Sequence, residues 1–489
     1  MTTVNLGPPT VRFARRSTRG FLLGFSALRC GVILIAALTL LTGLLTGGGV
    51  GLIVTAPLWA GLLATAFVPV RGRVVVEWLP TVMQWQLRRV TRQTTYRVRV
   101  SPPRPVGTMA LPGDAASLRF YNDPTTGACF IHDPHRQTLS AVLGVSHPAY
   151  VLLAPASQRD RVSMWGRVLA SLAQTGTCAL IQVLESTVPD PGTQFAHWYE
   201  EHATHAEDWA NVEYQRLLTQ SSFGSSTHRT TITLSLDLKK AAGAIRSAGR
   251  GLRGAAKVLR IDMSVLEQGL RDADLRVGEW LDEALLATLL RQAYDPNAPL
   301  GAQVTASDGS EQAPATLATS GPVALSEHWS YLRHDSGYST VLWISEWPRV
   351  EVAPHFLHAL IFAADIRKSL SLLARPLATG DALKSLRKEK TEAVTNAHHK
   401  AKVGQVQELS DVQEFNDLLK REQALINGHA DVEFSGFITV TASSEEGLTA
   451  AVALIERSAG QSGCETRVLY GRQSQGFVVA ALPLGRSVF

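Results

Sequence analysis

CGVILIAALTLLTGLLTGGGVGLIVTAPLWAGLLATAFVPV, residues 30–70, contains no charged side chain. Gly47-Gly48-Gly49 divide it into an apolar run at 30–46 and a second at 50–70, seventeen and twenty-one residues long. At 1.5 Å per helical residue these reach about 26 and 31 Å, against a hydrocarbon core of about 30 Å. Lipid offers no hydrogen-bond partners to a bare backbone, so two such runs joined by a glycine turn predict an N-terminal two-helix transmembrane hairpin. Arginines bracket it: Arg12, Arg15, Arg16, Arg19 and Arg29 before, Arg71 and Arg73 after. Basic flanks on both sides predict a multi-pass protein of the plasma membrane with both termini cytoplasmic. Because the apolar run starts late and a second follows at once, a cleavable leader fits poorly.

Charge is distributed unevenly. Residues 1–100 hold twelve arginines and one acid, Glu77, for a net charge of +11; the other 389 residues carry thirty-five bases against forty-one acids, a net of −6. The mildly acidic remainder argues against an extensive nucleic-acid surface. The four cysteines, Cys30, Cys129, Cys178 and Cys464, are scattered without a C-x-x-C pair. That spacing excludes a disulfide framework and a cysteine zinc site, and suits a reducing compartment.

The pattern divides the chain into a basic N-terminus (1–29), the hairpin (30–70), a basic juxtamembrane helix (71–105), a first α/β unit (106–294), a linker or insertion (295–323) and a second α/β unit (324–489). In the juxtamembrane stretch Pro80 suits a helix start, and tryptophan beside arginine suits the membrane interface. Alternating runs predict strands at 117–121, 128–132, 139–145, 178–184, 230–238, 332–334, 339–345, 368–374, 432–442, 467–470 and 476–481. Helices are expected at 158–174, from 192 to about 218, at 239–275 with an interruption, and at 278–294. Further helices are expected at 355–363, 381–409, 412–427 and 445–458, with 381–427 forming a helical arm that bends near Gly404 or Ser410. The end of the chain, from Val432, reads β-α-β-β and has split βαβ, ferredoxin-like character. The fold class is therefore a mixed α/β (α+β) cytoplasmic body behind a membrane anchor.

Catalytic patterns are missing. There is no G-x-x-x-x-G-K-[ST] and no Gly-Lys dipeptide, so a P-loop nucleotide site would have no phosphate grip. No G-x-S-x-G is present, and Ser385-x-x-Lys388 lies in the charged arm without companion motifs. His197, Glu201 and His205 share one helical face, yet H-E-x-x-H is absent and a solvated amphipathic helix accounts for them. His132 with His135, and His355 with His358, read as turn and packing residues. No catalytic residue, metal site or cofactor is expected. One pattern is more regular: Arg246, Arg250, Arg253, Lys257 and Arg260 step by 4, 3, 4, 3, so one helix would align them as a stripe. That stripe is a candidate docking face for phosphates, headgroups or an acidic partner.

Several separated segments resemble a known family: RRSTRGFLLGFSAL (15–28), VEWLP (76–80), LRR (87–89), WGRVLASLA (165–173), LESTVPDP (184–191), AYDP (293–296), WISEWPRV (343–350), FSGFITVTA (434–442), LYGRQ (469–473) and LPLGR (482–486). In order and spacing they resemble actinobacterial membrane proteins encoded beside conjugation-type ATPases, with a PrgI-like two-span N-terminus. The resemblance implies a non-catalytic subunit of a type IV secretion-like or conjugative transfer apparatus. Its body would be similar to the non-ATPase N-terminal region of the large secretion ATPase, with the motor on a separate chain. The partners so implied are the lipid bilayer, that ATPase and other pore subunits, in an oligomeric complex; direct nucleic-acid binding is not expected. EccE, the type VII secretion membrane subunit, is the neighbouring comparison. A membrane-tethered relay touching nucleic acid through the 246–260 stripe is the reading from another class.

Overall fold

The structure, a computed structural model, describes residues 10, 11, 13, 25–98, 105–146, 150–189, 199, 202, 208–221, 226–298, 316–402 and 409–488. The chain divides into two compact units. One comprises Ala14–Thr94 with Tyr470–Arg472, and the other Thr95–Leu469 with Gln473–Phe489 and the residues up to Phe13.

The smaller unit contains one long apolar helix, α1 (Ala27–Phe67). Ser26 caps its start, and its regular geometry is broken at Gly48, where φ is 56° and ψ is −135°. A Cβ on Gly43 would lie 2.3 Å from Thr55 Oγ1, and the rings of Phe25 and Phe67 are 6.1 Å apart. The Arg29 guanidinium stands 4.4 Å over Phe25 and 5.1 Å over Phe67. A two-residue ribbon, β1 (Pro69–Val70) with β2 (Arg73–Val74), leads into α2 (Val75–Val90). The helix begins five residues before Pro80, which sits inside it; the expected start there is corrected to Val75. The Trp78 indole N–H donates to Val70 O at 3.0 Å and its ring meets Tyr470 at 5.5 Å, while Arg472 donates to Gln84 at 2.9 Å.

The larger unit is mixed helix and sheet. Its elements are, in chain order, β3 (Thr95–Arg97), β4 (Arg119–Asn122), β5 (Cys129–Asp133), β6 (Thr138–Ser146), α3 (Pro155–Thr175), β7 (Cys178–Pro189), α4 (Trp209–Ser221), β8 (Ser226–Asp237), α5 (Ala242–Ser247), α6 (Gly251–Asp272), β9 (Arg276–Trp280) and α7 (Glu283–Tyr294). Then come β10 (Ala324–Glu327), β11 (Leu332–His334), β12 (Gly337–Glu346), α8 (His358–Ile361), β13 (Arg367–Pro376), α9 (Thr379–Lys402), α10 (Leu409–Ile426), β14 (Val432–Ala442), α11 (Glu445–Gln461), β15 (Glu465–Val468) and α12 (Gln473–Ala480). Local chemistry sets many of these limits. Pro155 opens α3 and Gly176, at φ 64°, closes it; Asp282 caps α7 through Leu285 N, and Ser444 caps α11 through Gly447 N.

Among the described residues thirteen strands form one antiparallel sheet in the order β3-β10-β11-β12-β14-β13-β7-β8-β6-β5-β4, with β15 beside β12 and β9 beside β6. From β10 to β4 this order is a palindrome about the β7–β13 pair. Each half repeats the same succession: three strands, a helix, a strand, a helical excursion, a strand, a crossover helix, a short strand and a final helix. In each half a split β-α-β crossover surrounds one strand. β8 and β9, joined by α6, both run antiparallel to β6; β14 and β15, joined by α11, both run antiparallel to β12. The registers superpose rung by rung. Leu143 faces Ile232 as Leu342 faces Ile438, and Val183 faces Ile232 as Leu370 faces Ile438. Leu184 and Ser371 occupy equivalent rungs and face each other, so a local two-fold axis passes through that pair. Side chains repeat the relation, since Ser140 and Ser235 hydroxyls meet at 2.8 Å and Ser339 and Thr441 at 2.7 Å.

One sheet face packs on α3 and α6 through Leu139, Leu143, Ile181, Ile232 and Leu234, and on α8 and α11 through Leu342, Ile344, Leu370, Ile438 and Val440. The other face packs on α7 and α12 through Ile131, Val142, Val341, Leu373 and Phe437. Buried polar bonds close the centre. Gln182 Nε2 donates to Ser371 Oγ, Val479 O and Leu482 O, while its Oε1 accepts from Gly485 N.

Three expectations change. The two α/β units at 106–294 and 324–489 are halves of one sheet, because β7 pairs with β13 over seven rungs. Residues 278–280 belong to β9, since the helix proper starts only after the Asp282 cap. Residues 476–480 belong to α12, buried from Gly476 through Ala480; a short run that is apolar on every side has no period to separate strand from helix. Both ends of the expected linker are built into the body: Asp295 pairs with Arg291 at 2.7 Å, and Leu317 is fully buried. The bend of the arm, between Lys402 and Leu409, lies outside the described residues.

Two glycines give opposite predictions. A Cβ on Gly321 would fall 1.7 Å from Ala110 O, whereas one on Gly166, in the middle of α3, meets nothing within 4 Å. Gly321→Ala should destabilise the protein by about 2 kcal/mol or more, and Gly166→Ala should stabilise it by about 0.5–1 kcal/mol. Thermal melts of the two full-length variants in detergent check this; equal shifts would contradict the packing at Gly321.

Candidate functional site

The basic stripe does not lie on one helix. Arg246 is on α5, Arg250 lies in the link at φ 61°, and Arg253, Lys257 and Arg260 are on α6. Gly249 and Gly251 flank the break with positive φ, and Gly254 lies so close to Ile245 O that a Cβ would stand 2.5 Å from it. The 4, 3, 4, 3 spacing therefore continues across a corner that the sequence period cannot register. Arg246, Arg250, Arg253 and Lys257 remain exposed, while Arg260 is half-buried with its Nε 3.9 Å from Asp123. A cavity of about 500 Å³ opens at this corner, lined by Arg246, Leu252, Ala255, His132, Gln137 and Leu238.

Of the histidine face, His197, Glu201 and His205 lie outside the described residues, and His202 is exposed. His132 is the penultimate residue of β5, and burial lowers its pKa. His358 opens α8 with its ring tilted against Phe362 at 4.5 Å; His355 is 6.5 Å from Tyr150. Ser385 and Lys388 are exposed on α9, where the serine hydroxyl donates to Glu389 at 3.0 Å. Among the described residues no three His, Cys, Asp or Glu side chains gather as metal ligands. Burial pushes the thiols of Cys129 and Cys178 up to about 12 and that of Cys464 up to about 11, which keeps them protonated and poorly nucleophilic. Of the membrane-flanking arginines, Arg29, Arg71 and Arg73 are described, and each sits over an aromatic ring.

One polar cluster was not visible in the sequence. Glu185 of β7 accepts from the Thr230 hydroxyl and lies 3.2 Å from His228 Nδ1, which is also 3.3 Å from Thr187 Oγ1. Lys368 of β13 faces Thr187 across the ladder and donates from Nζ to Ala363 O at 2.6 Å. Burial lowers the Lys368 pKa to about 8, only partly opposed by the charge of Glu185. The residues come from three strands, and the only trace in sequence is a lysine or glutamate interrupting an apolar run.

No protein-family model matches this chain, and a search of curated proteins returns no match.

The Lys368 environment makes a prediction with a definite sign. Its folded pKa of about 8 lies below the ordinary 10.5, so the unfolded chain holds the proton more tightly between those values. The cost of burying the charge is fully present below pH 8 and disappears as pH rises toward 10.5. Lys368→Met, compared with the unsubstituted protein, should therefore lose relative stability by up to about 3 kcal/mol on going from pH 7 to pH 10.5. Paired melts across that range measure it, and a pH-independent difference would contradict the burial of the amine.

Proposed function

We propose that this protein is a non-catalytic inner-membrane subunit of a type IV secretion-like or conjugative transfer apparatus, holding a separate P-loop ATPase at the cytoplasmic membrane face. The observation that carries the reading is a tether at both ends of the apolar segment. Val11 forms a two-hydrogen-bond bridge with Val352, at 2.7 and 3.0 Å, and Phe13 stacks 5.2 Å from Trp347. Residues on either side of α1 thus belong to one folded body, which supports an even number of membrane crossings. Among the described residues one helix is long and apolar enough to cross a membrane. A straight helix would separate residues 25 and 67 by about 60 Å, so the neighbouring Phe25 and Phe67 rings favour a double crossing with the turn at Gly48. Exposed Leu79, Met83, Leu87 and Val90 on α2 suit a helix lying in the interface.

The docking surfaces available to a partner are the exposed bases around the α5–α6 corner and the arm. Helices α9 and α10 pack through Ala382, Leu386, Leu418 and Leu425 and are joined by Lys390–Glu422 at 2.6 Å and Arg421–Glu389 at 3.2 Å. With no phosphate-binding loop in the sequence, the body serves as a scaffold for a motor that it does not contain.

Two experiments test this. In a chain whose native cysteines are replaced, a cysteine at Gly48 should react with an impermeant thiol reagent applied to intact cells; reaction only after lysis would refute the double crossing. Single reversals of surface charges should each change little, about 0–1 kcal/mol. Reversing Arg246, Arg250, Arg253 and Lys257 together should reduce co-purification of a P-loop ATPase while leaving the melting transition in place. Unchanged association at every salt concentration would remove this corner as the docking face.

A further inference from the structure

A second cavity lies on the α7 and α12 side of the sheet, floored by β7, β8, β13 and β14 and walled by α7 and the segment after α12. Its volume is about 70 Å³. Thr231 and Thr439, 3% and 2% exposed, line it with hydroxyls that have no hydrogen-bond partner among the described residues. Ser186, Thr227, Arg229 and Arg367 line it as well, and no carboxylate does among the described residues. Arg367 gives two of its N–H groups to Gln292 O and Pro296 O, leaving others free to donate. Arg229 is exposed and paired with Ser186 in the β7–β8 ladder, and among the described residues no hydrogen bond or ion pair engages its guanidinium group.

The internal two-fold relation shows that the fold does not require this polarity. By strand register Thr231 is equivalent to Phe437, Arg367 to Leu180 and Ser186 to Leu373. Those three partners are core residues packed together beneath the final helices. Thr439 is equivalent to Thr233, whose hydroxyl is satisfied by Pro483 O at 3.1 Å. The same architectural position is thus filled by hydrocarbon in one half, and in the other is an open space ringed by hydroxyl and guanidinium groups. A buried hydroxyl without a partner is costly, which favours something occupying the space.

We propose that this cavity binds a phosphoryl group. Two guanidinium ions match a dianion, the hydroxyls supply further donors to its oxygens, and the absence of a carboxylate disfavours a cation. A water molecule takes about 30 Å³, so the space suits one tetrahedral oxyanion and leaves the remainder of a larger ligand at the mouth. The phosphoryl group can come from soluble phosphate compounds or from a phospholipid headgroup.

The test is isothermal titration of the full-length protein in neutral detergent, with inorganic phosphate in one arm and short-chain phosphatidic acid in the other, at constant ionic strength. Saturable binding of either is expected, and it should weaken at least about tenfold both in Arg229→Gln and in the double variant Thr231→Val with Thr439→Val. Binding of phosphate alone would assign a soluble ligand, and phosphatidic acid displacing phosphate would assign a headgroup. No saturable binding in either arm would overturn the proposal, as would binding that both sets of variants leave unchanged. The Arg229 guanidinium has no bonds to lose among the described residues, so that variant decides the matter even if the threonine pair fails to fold.

Discussion

The antiparallel pairing of β7 with β13 is the contact on which the rest of the body depends. It is the only seam along which the two halves of the sheet are joined strand to strand among the described residues. Backbone hydrogen bonds alone would permit slippage by one rung, which would turn every side chain to the wrong face. Gln182 prevents this. Its amide spends both N–H donors on Ser371, Val479 and Leu482 and its oxygen on Gly485, so a shifted register would leave a fully buried amide without partners. The chain beyond α12 is held in the same stroke, and continues to Arg486, paired with the buried Asp133 at 2.9 Å.

The two-fold relation explains several features that look unrelated one by one. Each final helix ends beside the seam and sends its tail over the opposite half. At the end of α7, Tyr294 O meets His334 Nδ1 at 2.5 Å, and just beyond it Pro296 O meets Arg367; after α12, Pro483 O meets Thr233 and Gly485 lies on Gln182. The helical excursions leave from equivalent strand ends, β7 and β13. Because these strands are antiparallel, the excursions emerge at opposite ends of the sheet, one of them becoming the α9–α10 arm. Departures from the symmetry are then informative, since polar residues that replace core residues in one half alone are not required by the architecture.

Much of the secondary structure was legible in the amino-acid order. The limits of β11 and β14 coincide with their alternating runs, and the split β-α-β of the last segment follows from a strand, an amphipathic helix capped by Ser444 and a second short strand. Longer-range relations were not legible. The repeat escaped notice because its halves share register and not residue identity: Ile131 answers to Leu332 and Ser235 to Thr441. The expected basic stripe failed at Arg250 because periodicity cannot reveal a positive φ at a non-glycine residue. The Glu185, His228 and Lys368 cluster was hidden because only strand pairing brings its members together.

The seam makes the body one cooperative sheet rather than two tethered domains. Hydrogen–deuterium exchange of the full chain in detergent measures this at the seam. Amides of Val183, Glu185, Leu370 and Leu372 should exchange together, at the slowest rate in the protein, and only through global unfolding. Exchange in which the residues of β13 open while those of β7 stay protected would contradict a continuous sheet.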